Sequence, residues 1–130
     1  MRSITYNIPL NPISWKRAGL NGKCFFDKQT NDKLAVGLYL INQHGSEAKF
    51  TGPVKVEITF FMRQSQHVAR RTKCPYVSAF PDIDNLQKFI FDCINNTATI
   101  WTDDKQVAWV DARKMYDKEP HTSLTIIELI

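Results

Sequence analysis

Residues 82–94 read Asp82-Ile83-Asp84-Asn85-Leu86-Gln87-Lys88-Phe89-Ile90-Phe91-Asp92-Cys93-Ile94. Leu86, Phe89, Ile90, Cys93 and Ile94 stand at i, i+3, i+4, i+7 and i+8, one apolar stripe of an amphipathic helix. Asp84, Lys88 and Asp92 fall at i, i+4 and i+8 on a polar stripe of the same helix. Such a helix needs a surface on which to bury its stripe, and the segment after Gly52-Pro53 supplies one. There Val54, Val56, Ile58, Phe60 and Met62 alternate with Lys55, Glu57 and Thr59, the period of two that marks a strand.

Working outward, Ile4, Tyr6 and Ile8 alternate with polar residues until Pro9 and Pro12, which predicts a first strand followed by a loop over 12–17. From Asn31 to His44, Leu34, Leu38 and Ile41 recur at helical spacing, with Thr30 or Asn31 as the cap and Gly45 as the close. Asn95-Asn96 is expected to stop the second helix. Residues 63–80 lose all periodicity and read as a mobile basic loop. Ala108, Val110 and Ala112, then Leu124, Ile126, Ile127 and Leu129, predict two late strands around Glu119-Pro120. The fold class is therefore α+β, a small mixed β-sheet with two main helices packed against it, in a single domain over residues 1–130 without internal repeats. The order of the strands in space does not follow from the pattern.

The composition excludes several classes. At 130 residues and 43% hydrophobic, with 6 Pro and 5 Gly, the chain is long and apolar enough for one core and too apolar for a disordered basic tail. Its longest apolar run, from Leu34 to Ile41 and interrupted by Gly37, falls well short of the ~20 residues of a membrane span, and no signal-peptide pattern opens the chain. A cytoplasmic location is the expectation. Cys24, Cys74 and Cys93 form no C-x-x-C pair and read as reduced thiols, with Cys93 on the apolar helix stripe. His44, His67 and His121 are too scattered to suggest a triad or ligand set.

The net charge of +4 is unevenly distributed: residues 1–81 carry +8, residues 82–104 carry −4 and residues 105–130 are neutral. A basic surround enclosing a tight carboxylate cluster suits a polyanion brought to a divalent cation. Asp82 and Asp84 lie two apart where the chain enters the helix. In extended backbone such a pair points to one side. A plainer reading makes Asp84 a helix cap and Asp82 a partner of the helix dipole, worth about 1 kcal/mol. A second pair, Asp103 and Asp104, stands just before a late strand, close enough in sequence to return alongside the first. Carboxylates that converge to ~4 Å repel by about 4 kcal/mol at an effective dielectric near 20, and a cation relieves this. Ligation by oxygen alone favours Mg2+, with Mn2+ as substitute. Lys88 either offsets charge on a reacting phosphate or bridges Asp84 and Asp92 as a surface pair. Asp92 either touches the metal or orients Lys88. Lys16 and Arg17 in the early loop, with Arg63, Arg70, Arg71 and Lys73 in the later one, are the candidate phosphate contacts. Tyr76 or Phe80 can serve as a wedge into opened DNA, although packing roles are the commoner fate.

The two blocks Pro81-Asp82-Ile83-Asp84-Asn85-Leu86-Gln87-Lys88 and Trp101-Thr102-Asp103-Asp104-Lys105-Gln106-Val107, with Asp92 between them, resemble the RusA family of Holliday-junction resolvases. Over residues 81–107 the resemblance is specific, and elsewhere it holds in outline. It implies a RusA-like fold and a magnesium-dependent endonuclease, active as a homodimer, that cuts strands of like polarity across a four-way DNA junction. The acidic metal site then maps onto Asp82, Asp84 and Asp104, with Asp103 adjacent and Lys88 as the essential basic residue. Asn95-Asn96-Thr97 departs from the Gly that often ends this helix in the family, which bears on substrate preference. Two further readings stay open: a nuclease of the same chemistry for forks or packaging intermediates, and a non-catalytic DNA-binding dimer.

Overall fold

The computed structural model describes residues 1–22, 24–71 and 73–130. Strands β1 (Ser3–Ile8), β4 (Val54–Arg63), β5 (Val107–Asp117) and β6 (His121–Glu128) form one mixed sheet in the order β1-β6-β4-β5. β6 runs antiparallel to both β1 and β4, whereas β4 and β5 are parallel. A parallel pair needs a crossover, and the chain between β4 and β5 provides it with α2 (Gln66–Arg71) and α3 (Ile83–Thr97). α1 (Thr30–His44) packs beside α3 and against β1. The small mixed sheet with two main helices is thus the observed fold.

The core is the alternation written in the strands. Val54, Val56, Ile58 and Phe60 of β4, Tyr6 and Ile8 of β1, and Leu124 and Ile126 of β6 are all buried, as is the α3 stripe of Leu86, Phe89, Ile90, Cys93 and Ile94. Burial pushes the Cys93 thiol up to about 12, which keeps it protonated and inert. Among the described residues no helix is long and apolar enough to cross a membrane.

Four local expectations are corrected, and one element is added. The helix over 30–44 forms, but Leu34, Leu38 and Ile41 are 62%, 62% and 40% exposed while Val36 and Leu40 are buried. Lys33 sets this rotation: its ammonium turns inward to Asp27 at 2.8 Å and Asp92 at 3.4 Å, so the face carrying Lys33, Val36 and Leu40 is the buried one. The N-cap position is Gln29, one residue before Thr30. α3 runs past Asn95-Asn96 to Thr97 and closes on Ala98 in the left-handed region at φ 56°. Asn95 does not stop the helix because its amide is engaged elsewhere, as described below. Residues 63–80 are partly ordered: β4 extends to Arg63, α2 follows, and Tyr76 bridges to Met115 of β5. Thr72 in that stretch lies outside the described residues. Finally, the chain between β1 and α1 carries a two-stranded hairpin, β2 (Gly19–Asn21) with β3 (Cys24–Phe26), which the sequence pattern did not predict.

Candidate active site

α3 organises the site because its apolar stripe fixes which residues face outward. At its head, Asp82 occupies the N-cap position with extended backbone (φ −68°, ψ 139°), and its carboxylate makes no capping hydrogen bond. The cap role therefore falls to the backbone, where Leu86 N donates to Asp82 O at 3.2 Å. The Asp84 carboxylate accepts from Asn85 N at 2.9 Å. Both residues are exposed, and among the described residues neither forms an ion pair. Lys114 on β5 secures the backbone just before them, its Nζ donating to Ala79 O at 2.7 Å and Pro81 O at 2.8 Å.

Lys88 stands one turn on from Asp84, yet it does not bridge Asp84 and Asp92. Its Nζ lies 3.6 Å from the centre of the Trp15 ring, a cation–π contact. Trp15 is itself tied to α3, since its backbone N donates to Asn85 O at 3.0 Å. Asp92 is engaged by Lys33. Burial opposes the Lys33 charge, but the hydrogen bond with Asp27 and the charge of Asp92 outweigh it, and the ammonium pKa is raised.

The second acidic pair sits in a braced turn. Trp101 is fully buried, with its ring edge-on to Phe91 at 5.5 Å and its Nε1 donating to Asn95 Oδ1 at 2.6 Å. Five residues on, the Gln106 side chain spans the turn. Its Oε1 accepts from Thr102 N at 2.7 Å and Asp103 N at 3.3 Å, and its Nε2 donates to Phe50 O and Gly52 O at 2.9 and 3.0 Å. Asp104 opens the single 3-10 turn that leads into β5, and its Oδ2 accepts from Asn95 Nδ2 at 3.3 Å. Desolvation raises the Asp104 pKa. The Asn95 hydrogen bond opposes this, while Asp103 and, more weakly, Asp92 add to it.

The two pairs do not meet within one chain. Asp84 lies in the first turn of α3, and Asp104 is bonded to Asn95 near the other end; eleven residues of helix separate those positions by about 16 Å. Accordingly, among the described residues no group of three or more His, Cys, Asp or Glu is arranged to hold a metal ion. The convergence of Asp82 and Asp84 with Asp103 and Asp104 expected from the short return is corrected here: the return is short, but it docks on the helix end through Asn95 and Trp101.

Lys16, Arg17, Arg63, Arg70, Arg71 and Lys73 are all exposed, and among the described residues none forms an ion pair. Tyr76 and Phe80 are 57% and 82% exposed, so neither belongs to the buried core. Sequence reasoning missed the supports: Gln106 carried no role, Asn95 was read only as a helix stop, Trp15 only as an aromatic beside the loop cations, and Lys114 gave no signal, since the partners of Trp15 and Lys114 are distant in sequence.

The chain is 24% identical over 106 residues, 81% of its length and 78% of the relative's, to a protein from Lactococcus phage r1t described as "Crossover junction endodeoxyribonuclease rusA". The family described as Endodeoxyribonuclease RusA matches residues 9–127, a span that holds both acidic pairs, Lys88 and the elements that brace them. This protein belongs to the RusA endodeoxyribonuclease family.

Proposed function

We propose that the chain is a magnesium-dependent endodeoxyribonuclease that resolves four-way DNA junctions by paired, symmetric phosphodiester hydrolysis, acting as a homodimer. The observation that carries this reading is the state of Asp82 and Asp84. They stand exposed at the head of α3, their carboxylates making no cap hydrogen bond and, among the described residues, no ion pair, in a chain of an endodeoxyribonuclease family.

The donor chemistry suits a hard divalent cation, since every candidate ligand is a carboxylate oxygen. Asp82 and Asp84 from one side, with Asp103 and Asp104 from the other, would hold Mg2+, which supplies Lewis acidity for water activation and for the leaving oxygen when bound. Because α3 keeps the two pairs apart in one chain, the reading assigns completion of the site to a second copy. Paired cutting requires that copy in any case, as one chain has one set of carboxylates and two cuts need two. Lys88, oriented by the Trp15 ring, offsets charge that develops on the phosphate. The six exposed cations bind backbone phosphates, so affinity falls steeply with salt.

The test incubates the purified protein with four-way junction, fork and linear duplex, in magnesium or chelator, beside Asp84→Asn. Paired cuts in the junction alone, dependent on magnesium and absent in the variant, are expected. Preferential fork cleavage would reassign the substrate, and binding without cleavage of any DNA would leave a non-catalytic DNA-binding dimer.

A further inference from the structure

We propose that the β2–β3 hairpin is a base-contacting arm, in which Phe25 and Leu20 stack against unpaired bases at a DNA branch point while Lys16, Arg17 and Lys28 hold the flanking phosphates. The inference rests on the reading above only in taking DNA as the ligand.

The hairpin lies outside the main sheet. Leu20 and Phe25 are directly opposed in its register and so share one face. They are 62% and 79% exposed, a paired apolar surface that the described fold does not cover. The other face is braced. Gly19 is buried beneath the Phe26 ring, and a side chain at position 19 would collide with that ring and meet Lys28 Cε at 2.8 Å. The glycine thus allows Phe26 to close over the strand and leaves Phe25 as the aromatic that projects.

The arm has a fixed root. Gln29, buried, clasps its two ends together: Nε2 donates to Ser14 O at 2.8 Å and Oε1 accepts from Lys16 N at 2.9 Å. Trp15 at the same root is bonded to Asn85 and lies under Lys88, so the arm springs from the helix that carries Asp82 and Asp84.

Charge selects the occupant. Lys16, Arg17 and Lys28 are exposed, and the acid in this segment, Asp27, is bound to Lys33. A second copy docking the same face on itself would oppose like charges, whereas a polyanion is drawn in. Exposed aromatics within a basic surround are suited to stacking on bases that have left the duplex, a contact open to every base. Branch points present such bases, and uniform duplex does not.

The experiment uses a four-way junction with 2-aminopurine at the branch point, bound by the full chain in calcium or by its Asp84→Asn variant so that no cleavage occurs. Expected are a rise in fluorescence on binding, its loss in Phe25→Ala and Leu20→Ser, a fall in junction affinity on the order of tenfold, unchanged affinity for duplex, and recovery in Phe25→Trp. Circular dichroism confirms that the variants are folded. An unchanged rise and affinity in Phe25→Ala would overturn the arm while junction cleavage by the unaltered chain upheld the nuclease reading. Loss of the rise in Phe80→Ala but not in Phe25→Ala would also overturn it. If Phe25→Ala loses the rise and the unaltered chain binds but never cleaves, the arm stands and the nuclease reading falls.

Discussion

Asp82 and Asp84 stand at the head of α3, exposed and with no ion pair among the described residues, whereas Asp103 and Asp104 are set in a turn that Gln106, Asn95 and Trp101 hold. The first pair is positioned through its backbone, by the apolar stripe of α3 and by Lys114 beneath Ala79 and Pro81. The second is positioned through side chains, and desolvation of Asp104 beside Asp103 makes its charge unfavourable. One acidic half-site is therefore open and cheap to alter, and the other is rigid and internally repulsive. If both serve one reaction, substitutions in them should cost the same in activity and differ in stability.

The largest expected effect is on cleavage. Asp84→Asn and Asp104→Asn should each lower junction cleavage by more than about 10²-fold, the scale on which even supporting residues of metal sites act. Thermal unfolding should separate them. Loss of the Asp84 charge from a helix N-terminus costs about 0.3–1 kcal/mol, while Asp104→Asn relieves repulsion and should leave the melting temperature unchanged or raised. Cleavage at full rate by either variant would remove that pair from the site.

Next in size are the supports. Gln106→Ala removes the contacts to Thr102, Asp103, Phe50 and Gly52 and should destabilise by about 2–4 kcal/mol, through lost bonds and stranded backbone groups. Lys114→Met removes two contacts whose carbonyls gain access to water, and about 1–2 kcal/mol is expected. Urea midpoints measure both. Equal losses would mean that the head of α3 is as rigidly braced as the turn, and the contrast would fail.

How much of this was legible in the sequence follows the range of the interactions. The α3 stripe, β4 and the late strands were readable because period alone specifies them, and both acidic pairs were readable as local motifs. The exposed face of α1 was misread because Lys33, a residue usually assigned to solvent, turns inward to Asp27 and Asp92. Convergence of the pairs was misread because the short return after α3 docks at Asn95 rather than running back along the helix. The hairpin escaped notice because its strands are only three residues each, too short for a period. Lys88 was expected beside carboxylates because i and i+4 neighbours were the partners in view, and Trp15, 73 positions away in sequence, was not.

Lys88 accordingly gives a smaller, diagnostic effect at the open end. Lys88→Ala should cost about 0.5–1 kcal/mol of stability, the worth of an exposed cation–π contact, and shift Trp15 emission, while cleavage falls by far more than that loss of stability explains. Emission unchanged on substitution would show that the ammonium does not rest on the ring.

The smallest effect is the pH dependence of stability, and here the two kinds of carboxylate differ in sign. Hydrogen bonding from Lys33 holds the Asp27 pKa below its ordinary 3.8, so Asp27 contributes stability above that value and loses it as pH falls through its lowered pKa. Asp104 is raised above 3.8 by desolvation and by Asp103. Its contribution is fully present below the ordinary value and is lost as pH rises through the raised one. Urea midpoints between pH 3 and 7 should therefore show the unaltered chain losing ground to Asp104→Asn as pH climbs, with the difference levelling once Asp104 is ionised. Asp103→Asn should shrink the same difference by removing the neighbour that raises Asp104. Parallel curves for all three proteins would mean that the braced turn carries no repulsion, leaving the two acidic pairs distinguished by exposure alone.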